Sequence, residues 1–171
     1  CIRDSYVPEG EGKRAAVLCV HGHWRLAKSE PVVQARCIGL AKLGFFVLMV
    51  DAFGAGERGL QPPLGEYHGE MVGATLFPTG RPLSGIQVYE NQRAVDYMLT
   101  RPEVDGERLG ITGCSGGGNA TTSELEHCAA ASAEHTTSVA TVADGVTGIS
   151  TGTSRTTSLI TSRTTSLGTS L

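Results

Sequence analysis

Residues 109 to 119, Leu-Gly-Ile-Thr-Gly-Cys-Ser-Gly-Gly-Gly-Asn, place a serine among glycines at the end of a short apolar run. Gly113-Cys114-Ser115-Gly116-Gly117 fits G-x-S-x-G, the pattern of a nucleophile elbow, in which a strand turns sharply through the serine and opens into a helix. Small residues on both sides let the backbone bend that tightly, and the bend leaves the Ser115 hydroxyl uncovered by its neighbours. A hydroxyl presented in this way attacks acyl carbonyls, so the chemistry implied is ester or amide hydrolysis. A second match, Gly148-Ile149-Ser150-Thr151-Gly152, runs into a Ser/Thr tract without the apolar periodicity of a helix, and context favours Ser115.

Other residue groups raise rival chemistry. His21 and His23 form an H-x-H pair after an apolar run, and alternate residues there can face one metal ion, as in metal-dependent hydrolases. Such a site needs further Asp and His ligands, and Arg25 and Leu26 stand where they would be expected. No metal is therefore expected, with His21 packing structurally and His23 contributing its backbone. Gly116 to Gly118 could cradle a phosphate at a helix start, but no Lys follows and G-x-G-x-x-G is absent, so a nucleotide site is not expected. Asp51 with Gly54, Gly56 and Arg58 reads as a tight turn after a strand, held by a structural ion pair. Trp24, Tyr67 and His68 either line an acyl or sugar pocket or cover the core.

The elements that must carry these groups follow from pattern. Ala15 to Val20 and Phe45 to Val50 are continuous apolar runs, as expected for strands covered on both faces. Between them Pro31 suits a first helical turn, Val33, Cys37, Leu40 and Ala41 recur at helical spacing, and Gly44 is placed for a C-terminal cap. Strand, helix, strand at this length is a βαβ unit with parallel strands. The stretch after Asp51 to Pro82 is dense in Gly and Pro and reads as a long irregular excursion. Ser84 can cap a helix carrying Val88, Ala94, Val95, Met98 and Leu99 that Pro102 stops, and Asp105-Gly106 then turns into the strand before Ser115. Leu125, Cys128 and Ala129 allow a helix, and Ser138 to Ala143 one more strand.

The chain of 171 residues is 40% hydrophobic and 18% charged, a normal globular balance for one core. A formal charge of -3 without a Lys/Arg cluster excludes the electrostatic footprint of a nucleic-acid binder. The longest apolar run, Phe45 to Val50, is far below the ~20 residues of a membrane span, and no signal segment is visible. A soluble protein is expected, cytoplasmic or secreted. The five cysteines form no C-x-x-C pair, so neither a disulfide framework nor a thiolate metal site is suggested. The start at Cys1 is read as a fragment of a longer reading frame rather than a lipid-anchored terminus. Residues 1–149 read as an incomplete domain and 150–171 as a Ser/Thr-rich low-complexity tail, expected to be disordered, in which Thr-Ser-Arg-Thr-Thr-Ser-Leu occurs at 153 to 159 and again at 161 to 167.

With these elements placed, the chain resembles the α/β-hydrolase superfamily, in its acetyl xylan esterase and dienelactone hydrolase-like branch. Five blocks carry the resemblance, in the family's order: Val20-His21-Gly22-His23-Trp24; Gln34-Ala35-Arg36-Cys37-Ile38-Gly39-Leu40-Ala41; Asp51-Ala52-Phe53-Gly54-Ala55-Gly56-Glu57-Arg58; Tyr97-Met98-Leu99-Thr100-Arg101-Pro102-Glu103-Val104-Asp105; and Gly113 to Asn119. The resemblance implies an α/β architecture, a partial α/β-hydrolase fold with a mostly parallel sheet flanked by helices. It implies a carboxylic ester hydrolase, deacetylating carbohydrate through an acyl-enzyme on Ser115, with no cofactor and a small-molecule or carbohydrate ester as partner. The oxyanion hole would be the backbone N–H groups of His23 and Gly116.

One departure limits the expectation. In this fold the order is Ser, acid, His, and the only histidines after Ser115 are His127 and His135, too early for the family's last loop; Asp144 is a conceivable acid, but no histidine follows it. The chain is thus expected to be inactive or nearly so. The alternatives are a non-catalytic hydrolase-fold remnant or binding domain, and a metal-dependent hydrolase using His21 and His23.

Overall fold

Arg14–Val20 (β2) and Phe46–Val50 (β3) lie side by side in parallel, Ala16 opposite Phe46 and Cys19 opposite Met49, because both are apolar on both faces and the helix between them returns the chain in the same direction. The structure, a computed structural model, describes residues 3–59, 73–118, 120–121 and 138–142. The crossover helix is Pro31–Lys42 (α1), with proline in its first turn and Gly44 at φ +94 just beyond its end. Arg3–Tyr6 (β1) runs antiparallel along the outer edge of β3, and Val104–Gly113 (β4) and Ser138–Val142 (β5) continue the sheet in parallel on the other side, in the order β1-β3-β2-β4-β5.

Alternation along each central strand divides the core in two. Ala16, Leu18 and Val20 of β2, Phe46 and Leu48 of β3 and Leu109 and Ile111 of β4 pack with Ala94 and Met98 of the helix Leu83–Leu99 (α3), while Cys19, Val47 and Met49 pack with Val33 and Cys37 of α1. Helices thus cover both faces, the expected α/β arrangement. The C-terminal ends of β2, β3 and β4 meet at one edge, where open parallel sheets bind ligands.

Local details differ from expectation. Ser84 does not cap α3; the cap position is Pro82, with no side-chain bond, and Ser84 sits inside the first turn. Asp105-Gly106 does not precede β4 but lies within it, in an irregularity where Arg14 pairs with Val104 and Ala16 already with Leu109; Asp105 holds that bulge by accepting from Glu107 N–H (3.2 Å) and Arg108 Nε (2.7 Å). The excursion after Asp51 includes a 3-10 turn at Gly56–Arg58, a short helix at Ala74–Leu76 (α2) and a turn at Phe77–Thr79. The expected helix around Leu125 to Ala129, the tail from residue 150 and the second G-x-S-x-G match lie outside the described residues.

Candidate active site

Ser115 stands between the end of β4 and a helix that opens at residue 116, at φ +58. That left-handed conformation costs an L-residue about 1–2 kcal/mol and, for a residue without special turn chemistry, persists only where the surroundings enforce it. Here glycines do so. A Cβ on Gly113 would overlap the Gly117 carbonyl and stand 2.7 Å from Val20 Cγ2, one on Gly117 would lie 2.6 Å from the Val20 oxygen, and one on Gly22 2.6 Å from the Cys114 oxygen. The elbow and the end of β2 therefore touch backbone to backbone, which permits no side chain at these three positions. Gly117 N–H closes the turn on the Cys114 carbonyl at 3.0 Å, and the Thr121 hydroxyl donates to the Gly117 carbonyl at 2.8 Å. Ser115 itself is exposed.

His21, at the end of β2, is buried and bonded through both ring nitrogens. Nδ1 lies 2.8 Å from the Gly22 carbonyl oxygen, which can only accept, so Nδ1 carries the hydrogen; Nε2 then accepts from Ala52 N–H at 3.1 Å. Burial pushes the imidazole below its usual pKa, against the raising effects of the Gly22 bond and of Asp51, whose Oδ1 is 3.5 Å from Nε2. A neutral His21 with both nitrogens engaged has no lone pair to offer a metal, and among the described residues no three His, Cys, Asp or Glu form a metal-holding group. The imidazole instead ties the loop after β2 to the loop after β3.

That tie orients a peptide. The Gly22 carbonyl accepts from His21 Nδ1 and from Trp24 N–H, both at 2.8 Å, and in a trans peptide the following N–H, that of His23, points the opposite way. Gly22 packs on the elbow, with the direction of its missing Cβ running 3.1 Å from Ser115 Cβ and 3.5 Å from Gly116 N. The His23 ring lies over Gly116, 2.8 Å (Cε1) and 2.9 Å (Nδ1) from where a Cβ would stand. Gly116 opens the helix, so its N–H is among those with no acceptor inside it. Ser115, Gly116 and His23 are thus brought together.

Beside them lies a cavity of about 270 Å³, walled by Gly22, His23 and Gly116 on one side and by Leu83, Ser84, Gln87, Glu90 and Asn91 of α3 on the other. Trp24 is exposed and does not line it; Tyr67 and His68 lie outside the described residues. Asp51 floors the cavity as structure: its buried carboxylate accepts from Lys28 N–H (2.9 Å) and Glu57 N–H (3.0 Å), and a Cβ on Gly56 would collide with it. The ion pair expected within this turn does not form between Asp51 and Arg58: Arg58 pairs instead with Glu90 of α3, and its Nη1 donates to the Asp51 backbone carbonyl at 3.2 Å. Nearby, the buried Lys28 ammonium meets Glu57 (2.9 Å) and Asp4 (3.3 Å); burial would lower its pKa, but these carboxylates outweigh it and hold it above the usual lysine value.

No family model matches the chain. One curated relative, "Putative hydrolase YtaP" of Bacillus subtilis (strain 168), is 33% identical over 118 residues, which are 63% of this chain and 38% of the relative. Among solved structures, methylesterase BT1017 superposes with a TM-score of 0.60 at 30% identity, covering 72% of this chain and 26% of its own. This is an α/β-hydrolase fold. A "putative acetyl xylan esterase (BF1801)" from Bacteroides fragilis NCTC 9343 (TM-score 0.60, 21% identity, 69% of this chain and 36% of that one) shares it. So does the dienelactone hydrolase-like promiscuous phosphotriesterase P91 from metagenomic libraries (TM-score 0.59, 19% identity, 86% and 54%). The chain spans about a quarter to two fifths of the length of the first relatives it matches.

Sequence reasoning missed the α3 wall. Ser84 reads only as a cap, and Gln87, Glu90 and Asn91 fall with it at helical spacing on one face, which was the available signal. It also missed Lys28, whose burial between two carboxylates depends on the edge strand β1.

Proposed function

We propose that the chain is the nucleophile-bearing part of a carboxylic ester hydrolase, with Ser115 attacking the ester carbonyl and carrying the acyl group, and His23 and Gly116 N–H groups receiving the oxyanion. The observation that carries this is Ser115 held at φ +58 and exposed against a helix start and the oriented Gly22–His23 peptide. Preorganised donors of this kind are worth about 3–4 kcal/mol each when charge develops on the tetrahedral intermediate, and the helix start adds its positive end. Acetylated carbohydrate is the proposed substrate class, after the esterases that the chain resembles in fold.

A serine needs a base, and His21 and His23 are the only histidines among the described residues. His21 is committed at both nitrogens, and both histidines precede Ser115, whereas the resemblance implies a triad histidine that follows it. We propose that the described residues supply nucleophile and oxyanion hole only, which leaves this chain nearly inactive alone; the same feature supports the rival reading of a binding domain without turnover. Incubation of the full-length protein with a fluorophosphonate probe, followed by peptide mapping, tests the choice. Label on Ser115, lost in Ser115→Ala together with acetyl ester hydrolysis, is expected; a hydrolytically active protein unlabelled at Ser115, or a Ser115→Ala variant with unchanged turnover, removes the esterase reading.

A further inference from the structure

Asn91 occupies an unusual position on α3. It is only 8% exposed, and its Nδ2 has no hydrogen-bond partner among the described residues. A buried amide N–H left unpaired carries a desolvation penalty with nothing in return, so folding alone favours an apolar residue here. Asn91 also lines the cavity beside Ser115, on the helical face shared with Ser84 and Gln87 and across from His23 and Gly116. Its neighbour Glu90 is engaged by Arg58, which leaves the Asn91 amide as an uncommitted donor on that wall. At about 270 Å³ the cavity is slightly below the ~300 to 1,000 Å³ usual for ligand sites, which limits it to a group the size of one sugar ring or a short polyol.

We propose that the Asn91 side-chain amide donates a hydrogen bond to an oxygen in the alcohol portion of the bound ester, making it a specificity-determining residue that favours oxygen-bearing alcohols over alkyl ones. The assignment rests on the reading of Ser115 as nucleophile: a small acyl group such as acetyl offers no second oxygen, so the alcohol portion must provide the acceptor. A site built to pair with a substrate oxygen discriminates against the analogue lacking it, because the donor is then left buried and unpaired.

The test compares two acetates of matched size, glycerol monoacetate and pentyl acetate, on the full-length wild type, Asn91→Leu and Asn91→Ala. The ratio of kcat/KM for the glyceryl over the pentyl ester is expected to fall about tenfold or more in both variants, chiefly through KM. Asn91→Leu is expected to keep or raise Tm, since no protein partner is removed. An unchanged ratio, an equal fall for both esters, or a drop in Tm in both variants would overturn the proposal. Ser115→Ala separates the two claims: loss of turnover with an unchanged Asn91 ratio sinks only the subsite. If wild type hydrolyses neither ester, saturation-transfer NMR with a methyl pentopyranoside decides. A transfer signal in wild type that vanishes in Asn91→Leu supports the subsite, and the absence of any signal in wild type overturns it.

Discussion

His21 makes stability depend on pH in a direction that the structure fixes. Its folded-state pKa lies below the usual 6.5 because burial disfavours the imidazolium, with His23 and Arg36 adding to that and Gly22 and Asp51 opposing it. The unfolded chain takes up a proton as pH falls through 6.5 while the folded chain does not, so the stabilisation is complete above that pH and is lost below it until the folded value is reached. One proton bound by the unfolded chain and not by the folded one sets the limiting slope, about 1.4 kcal/mol per pH unit between the two pKa values.

Carboxylates elsewhere also titrate, so the informative quantity is a difference. His21→Gln keeps a donor for the Gly22 carbonyl and an acceptor for Ala52 N–H without a titratable ring. Urea denaturation of wild type and variant from about pH 8 to 5 should give a stability difference that is flat above pH 7 and falls against wild type below it. A flat difference throughout would mean that the ring is solvated. A wild type that gains on acidification would mean that the Asp51 carboxylate, 3.5 Å from Nε2, outweighs burial, and the neutral lock on the Gly22–His23 peptide would be refuted.

Two further expectations concern the elbow. Gly113→Ala, whose Cβ would meet the Gly117 backbone and Val20, should cost about 1–3 kcal/mol or more in chemical denaturation, whereas Gly39→Ala on α1, with nothing within 4 Å, should stabilise by about 0.5–1 kcal/mol; equal effects would contradict the backbone contact. Ser115→Gly relieves about 1–2 kcal/mol of left-handed strain but adds about 0.5–1 kcal/mol of chain entropy, so calorimetry should find it about 0.5–1 kcal/mol more stable than Ser115→Ala, and the reverse order would place position 115 in an unstrained conformation.

Strands β2 and β3 were legible in sequence as continuous apolar runs and helices α1 and α3 by their helical periodicity, and the turn at Ser115 was legible because its glycines are adjacent. β1 was not: Arg3-Asp4-Ser5-Tyr6 has no apolar run, and it becomes a strand by pairing with the edge of β3 and by the Tyr6 hydroxyl reaching Gln34 of α1 at 2.7 Å. Asp105-Gly106 reads locally as a turn, yet the ladder with β2 resumes beyond it and absorbs it as a bulge. His21 was ambiguous between metal ligand and packing because the choice depends on Ala52, 31 positions away. The burial of Asn91 was not legible for the same reason: helical spacing places it on a face with Ser84 and Gln87, but nothing local distinguishes a buried polar position on a helix from a solvated one.

The packing around Ser115 is also self-contained. The strained serine, the close approach of its glycines to β2, the His21 tie and the α3 wall all come from residues 14 to 121, and they hold one another without any base or acid. Catalytic groups act as a unit: a serine without its histidine retains little more than the catalysis of the oxyanion hole and binding alone, ~10³–10⁴-fold over water. Packing and hydrogen bonding therefore set the shape of the candidate site independently of any proton transfer. On the proposed reading of Ser115 as nucleophile, hydrolytic power would be set by whatever residue brings an imidazole to its hydroxyl.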